Sequence, residues 1–119
     1  MKKILFLSLS ILLFSCSKKE PTLSKDMLLD RAENYDSSLV ISNDKSAQCS
    51  DYGSGCLSTQ MLILNNLSFV AVEFTSEKEA IQAAKRIKGY YVENWIFDDV
   101  RNEPILERFA VHGLQAKMP

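Results

Sequence analysis

The chain has 119 residues, 46% hydrophobic and 24% charged, with 14 basic against 15 acidic side chains and a net charge of −1. That length suits one small domain. The charge balance excludes a broad basic surface of the kind that displaces counterions from nucleic acid, so no nucleic-acid partner is expected.

The first residues, Met1-Lys2-Lys3, are positive, and Ile4 to Ser15 follow without a charge. As a helix these twelve residues rise about 18 Å, short of a hydrocarbon core of roughly 30 Å. A positive start, a short apolar run and a small residue before a break predict a secretory signal peptide over residues 1–15. Leu13-Phe14-Ser15-Cys16 resembles the bacterial lipoprotein signal motif, with Phe14 standing where that family has a small residue. The resemblance implies that Cys16 receives diacylglycerol, joins the palmitate-type lipoproteins and becomes the new N-terminus. Two acyl chains hold a protein stably on a membrane, at about 0.8 kcal/mol per buried methylene. By the same resemblance, Ser17 in place of aspartate implies the periplasm-facing side of the outer membrane rather than the inner membrane.

Removing residues 1–15 from the 119 leaves 104, and takes Lys2 and Lys3 with them, so 12 basic side chains face 15 acidic ones. Setting Cys16 aside leaves Cys49 and Cys56, which enclose "SDYGSG". An even pair in a Gly/Ser-rich turn of an exported chain reads as a disulfide. Closing so short a loop contributes roughly 2–3 kcal/mol on the chain-entropy view. A metal pair and a redox thiol pair are the other readings. The only histidine, His112, is distant in sequence, and six intervening residues do not make a Cys-x-x-Cys motif. Neither a metal nor an organic cofactor is expected.

Residues 16–23 form the lipid-bearing cysteine and a polar linker, "SKKEPTL" after Cys16, and a single domain spans 24–119. Ser24 caps a helix over "KDMLLDRAENY", with Met27, Leu28, Ala32 and Tyr35 at helical spacing. Leu39-Val40-Ile41 is a short strand, and 42–56 a loop pinned by the cysteines. "TQMLILNNLSFVAVEF" predicts a hairpin turning at Asn65-Asn66, since asparagine tolerates the left-handed conformation; a short helix over 58–66 is the alternative. Ser76 and Glu79 form a capping box for a helix whose apolar face is Ala80, Ile81, Ala83, Ala84 and Ile87, with Gly89 as its left-handed exit. "YYVENWIF", 90–97, reads as one strand with Tyr91, Glu93, Trp95 and Phe97 on one side. Pro104 opens a last helix to about 112, and Gly113 stops it. The expected fold is a small single α+β domain: a largely antiparallel sheet, helices on one face, and a ferredoxin-like strand–helix–strand element.

"SFVAVEFTSEKEAIQAAKRIKGYYVENWIF" resembles the strand–helix–strand half of a ferredoxin-like fold, which includes the RNA-recognition motif. Leu67, Ser68 and Ala71 stand where that motif's base, glycine and inner aromatic would be, so the RNA platform is absent. The aromatic strand, alanine-rich helix and helix-ending glycine are also similar to SPOR-type domains of bacterial envelopes. That resemblance implies a peptidoglycan glycan as one kind of partner, an envelope protein being the other.

Four groups of side chains are candidates for chemistry. Asp98-Asp99 with Glu103 form the densest acidic cluster, suited to Ca²⁺ or a carboxylate pair, or simply a solvated loop with one carboxylate capping the helix at Pro104. Glu73 lies inside an apolar strand, as a buried acid–base group or on an exposed sheet edge. His112 lies near a helix end. The Tyr91, Trp95, Phe97 row is a binding face for a sugar or a protein, or core. The functional expectation is a non-catalytic binding module tethered near the membrane through lipid on Cys16. The alternatives are a small envelope enzyme using Glu73, Asp98 and Asp99, or an inhibitor of an envelope hydrolase. An inhibitor would present a protruding Cys49–Cys56 loop with Tyr52 exposed.

Overall fold

Two adjacent asparagines set the register of the sheet. In the computed structural model, which describes residues 22–119, Asn65 and Asn66 have φ of 50° and 64°. Two successive positive φ values twist a two-residue turn in the sense the flanking strands require. Strand β2 (Cys56–Leu64) therefore folds directly back onto β3 (Leu67–Phe74), with Leu64 opposite Leu67 and Ser58 opposite Glu73. Helix α1 (Lys25–Tyr35) and strand β1 (Val40–Ile41) precede them, and a 3₁₀ turn spans Cys49–Asp51. Helix α2 (Glu77–Ile87), strands β4 (Tyr90–Val92) and β5 (Trp95–Asp98), helix α3 (Pro104–Arg108) and a π-helical turn (Phe109–Gly113) follow. The sheet order is β1-β2-β3-β5-β4, every neighbour antiparallel. Antiparallel pairing of β5 with both β3 and β4 makes β3 and β4 parallel. The strand–helix–strand element is thus present as β3–α2–β4, split by β5, and the domain is α+β.

Residues 90–97 are not one strand. Glu93, with φ 50°, and Asn94 form a turn, and Val92 pairs back onto Trp95. A two-residue turn resets the alternation, because directly paired residues face the same side. Tyr91 consequently shares a side with Ile96, while Trp95 and Phe97 face the other way with Val92 and Tyr90.

Helices cover both faces of the sheet, where one covered face was expected. One core joins Leu28 and Ala32 of α1 and Leu106 and Phe109 near α3 to Leu62, Phe69, Trp95 and Phe97. The other packs Ala80, Ala83 and Ala84 of α2, together with Tyr52, on Val70, Val72, Phe74 and Ile96. The cause lies in the central strands. Both β3 and β5 carry apolar side chains at odd and even positions alike, so each face needs cover. The alanines let α2 approach closely.

Helix ends agree in part with the local signals. Ser24 Oγ accepts from the Met27 N–H and Ser76 Oγ from the Glu79 N–H, each at 3.2 Å. The Glu79 carboxylate turns to the Thr75 hydroxyl, so the return half of the expected capping box is not made. Lys88, not Gly89, takes the left-handed position, with φ 57°. Gly89 is required for another reason: a Cβ there would lie 2.8 Å from the Phe97 carbonyl oxygen. Pro104 opens α3 as expected, but Glu103 does not cap it through its side chain. At the far edge, Lys117 exchanges two backbone hydrogen bonds with Tyr91 and covers β4.

Candidate functional site

The aromatic row does not exist as a surface. Trp95 and Phe97 are 0% exposed. Tyr91 lies on the opposite face, its ring 5.8 Å from the Lys117 ammonium. Trp95 instead holds the incoming chain in place, its Nε1–H donating to the Leu23 carbonyl at 2.6 Å. Asn94 Oδ1 accepts from the Leu23 N–H, also at 2.6 Å, while Asn94 Nδ2 donates to the Phe74 carbonyl. Leu23, assigned to the linker by its sequence, is thus buried and clamped to the central strands.

The acidic candidates do not converge. Glu73 accepts from the Ser58 hydroxyl at 3.0 Å and sits level with Trp95, on the α1–α3 side of the sheet. Asp98 sits level with Val70, about 10 Å along the strand, and accepts from the Tyr52 hydroxyl on the α2 side. Burial, the Asp98 hydrogen bond and the neighbouring carboxylates hold the Tyr52 phenol well above its ordinary value, which fixes it as a donor. Partial burial, and then the charge of Asp98, raise the Asp99 carboxyl although much of that residue faces water. His112 is exposed at the end of the π-helical turn. Among the described residues, no group of three histidine, cysteine or carboxylate side chains is placed to hold a metal ion.

The disulfide between Cys49 and Cys56 is formed, with Cα atoms 5.4 Å apart. Its loop does not protrude. Tyr52 is only 7% exposed, and Arg86 Nη2 donates to its carbonyl at 2.9 Å, fastening the loop to α2. Gly55, with φ 87°, lets the chain pass against the Glu79 carboxylate, which an added Cβ would overlap. The disulfide braces the loop, and the ring that an inhibitory loop would need to present faces inward.

What the fold does assemble is a pair of adjoining clefts at one end of the molecule. The first, about 240 Å³, lies between the end of α1, the β2–β3 turn and α3, lined by Tyr35, Asp36, Leu64, Asn65, Ile105, Arg108 and Phe109. The second, about 260 Å³, is lined by Ser38, Val40, Ile63, Asn65 and Asn66 beside edge strand β1. Asn65 borders both. Tyr35 and Ile105 are each 44% exposed and Val40 52%, a concentration of apolar surface among polar groups. Tyr35 is set by its edge-on contact with Phe109 and by Gly113, where a Cβ would press on its ring. Asp36 accepts from the Ser38 hydroxyl and N–H, which hold its carboxyl below its ordinary value of 3.8. Sequence reasoning did not find this site, because its residues come from three separate segments, 35–40, 63–66 and 105–109; the Asn65-Asn66 pair was the one local signal.

The clefts stand opposite the point where the chain enters the domain. Leu23 is held at the level of Trp95, and hence of Ser58, while Asn65 lies seven residues further along, about 23 Å away. Comparison with protein-family models, curated proteins and solved structures finds no match for this chain. No helix among the described residues is long and apolar enough to cross a membrane, and Cys16 lies outside those residues.

Proposed function

We propose that this protein is a bacterial envelope lipoprotein whose domain binds another envelope component, an envelope protein or a peptidoglycan glycan, while acyl chains on Cys16 hold it to the outer membrane. One observation supports the reading: the clamp on Leu23 and the paired clefts occupy opposite ends of the sheet. From Cys16 to Leu23 the chain extends at most about 25 Å. A tether at one end leaves the other free to meet a partner, and raises the local concentration of the domain for any component within that reach. Exposed apolar and planar polar groups at Tyr35, Ile105, Asn65 and Arg108 suit contact rather than bond-making chemistry.

The test uses purified protein with and without Ile105→Ser and Arg108→Glu, two exposed positions whose replacement leaves the core intact. Sedimentation with purified peptidoglycan and capture of envelope proteins are read side by side, with mass spectrometry of the N-terminus. Lipid on Cys16, and retention of a partner that drops at least roughly tenfold in the double variant, are expected. An unmodified thiol at Cys16, or equal retention by both proteins, overturns the proposal.

A further inference from the structure

The first cleft has an apolar floor and two opposite charges on its rim. Phe109 forms the floor, 1% exposed and fixed edge-on against both Tyr35 and Phe69, with ring centroids 5.9 and 5.5 Å away. Tyr35 and Ile105, each half-exposed, form the walls. A small hollow of this make-up favours an apolar body with polar ends.

The two charges come from different segments. Asp36 follows the last turn of α1, and Arg108 ends α3. The Ser38 N–H and hydroxyl both donate to Asp36 Oδ1, at 2.9 and 2.7 Å, which holds the carboxylate in one orientation and leaves Oδ2 for a further donor. Those bonds, and no cation, lower the Asp36 carboxyl, so it is ionised at neutral pH and is not neutralised by Arg108. The Arg108 guanidinium is exposed, and its planar fork of N–H donors matches a carboxylate. Asn65, bordering both clefts, adds an amide that both donates and accepts.

An anion alone would meet Asp36 and a cation alone would meet Arg108. A ligand carrying both charges meets each with its opposite. The volume of about 240 Å³ equals roughly eight waters at ~30 Å³ each, room for one apolar amino acid. A second residue has the adjoining 260 Å³ beyond Asn65 to occupy.

From this charge complementarity we infer that the first cleft binds the zwitterion of an apolar amino acid or dipeptide. The ligand's carboxylate lies on Arg108, its ammonium on Asp36 and its side chain over Phe109. This rests on the clefts forming the contact end proposed above, and adds the chemistry of what enters them.

The full-length protein in detergent is titrated with leucine and with leucyl-leucine, and the NMR signals of the Asn65 side-chain amide and the Arg108 Nε–H are followed. Saturable shifts of both signals below about 10 mM ligand are expected. N-acetylation or C-amidation of the ligand is each expected to weaken binding at least roughly threefold. Arg108→Gln is expected to abolish the effect of amidation and keep that of acetylation, and Asp36→Asn the reverse, with Trp95 fluorescence confirming that both are folded. No saturation, equal affinity for charged and blocked ligands, or saturation with Asn65 and Arg108 unmoved overturns the inference. Should a variant unfold, the blocked ligands decide on the wild type alone. The retention assay fails separately: a partner retained while these ligands do not bind overturns this inference only, and dipeptide binding without a retained partner overturns only the proposed function.

Discussion

Replacing Asn94 by alanine removes an acceptor and a donor from one buried point. Asn94 is 3% exposed, takes the Leu23 N–H at 2.6 Å and donates to the Phe74 carbonyl at 3.2 Å. In the variant both backbone groups stay inside without a side-chain partner. An orphaned buried donor or acceptor costs about 1–3 kcal/mol. The carbonyl tolerates under-satisfaction better than the N–H, so the expected loss is about 2–4 kcal/mol. Against a total stability of about 5–15 kcal/mol this is a large fraction. With a urea dependence of about 1–3 kcal/mol per molar, the midpoint falls by roughly 1–2 M. Trp95, the single tryptophan and itself bonded to Leu23, reports the transition by fluorescence. The same substitution in a chain beginning at Ser24 lacks the Leu23 N–H to orphan, and is expected to cost at least about 1 kcal/mol less. A midpoint unchanged by Asn94→Ala, or an equal loss in both chains, would refute the clamp.

Reducing Cys49–Cys56, or replacing both by serine, is expected to lower stability by about 2.5 kcal/mol from loop closure alone, read as a urea midpoint with and without reductant; no shift would show the loop held by Arg86 and Tyr52 without it. Tyr52→Phe removes a hydrogen bond to a carboxylate and should cost about 1–2 kcal/mol, with Tyr52→Ala worse because the ring also packs on Val70 and Val72. Asp99 gives a pH signature. Its carboxyl is raised in the folded state by burial and by Asp98, so ionisation opposes folding and stability falls as pH rises from the ordinary value of 3.8 through the raised one. Asp99→Asn, which also tolerates the φ of 65°, is therefore expected to raise the urea midpoint at pH 7 and leave it unchanged at pH 3; a gain at both would assign the effect to backbone preference.

The turn at Glu93-Asn94 shows where sequence reasoning lost the fold. Neither glycine nor an asparagine pair marks it, and eight residues of alternating aromatic and aliphatic character read equally well as one strand. The turn is held by contacts to Leu23, 71 residues away, which no local window contains. That one missed reversal turned Tyr91 from Trp95 and Phe97; of the two readings of the row, core and binding face, Trp95 and Phe97 take the first. The orientation of Tyr52 was open for a similar reason: whether a ring in a disulfide loop points outward depends on Asp98 and Arg86, residues 46 and 34 positions on.

By itself the amino-acid order determined what short-range chemistry can determine. Ser24 and Ser76 opened their helices, Asn65-Asn66 turned the central hairpin, and Cys49 and Cys56 closed their loop, because each signal acts across a few residues and needs no distant partner. Tertiary structure decided which surfaces survive. Apolar side chains on both faces of β3 and β5 drew helices to both sides, and the clefts beside Asn65 arose only where three segments met. Exposure is a property of what packs against a residue, and those neighbours come from far along the chain.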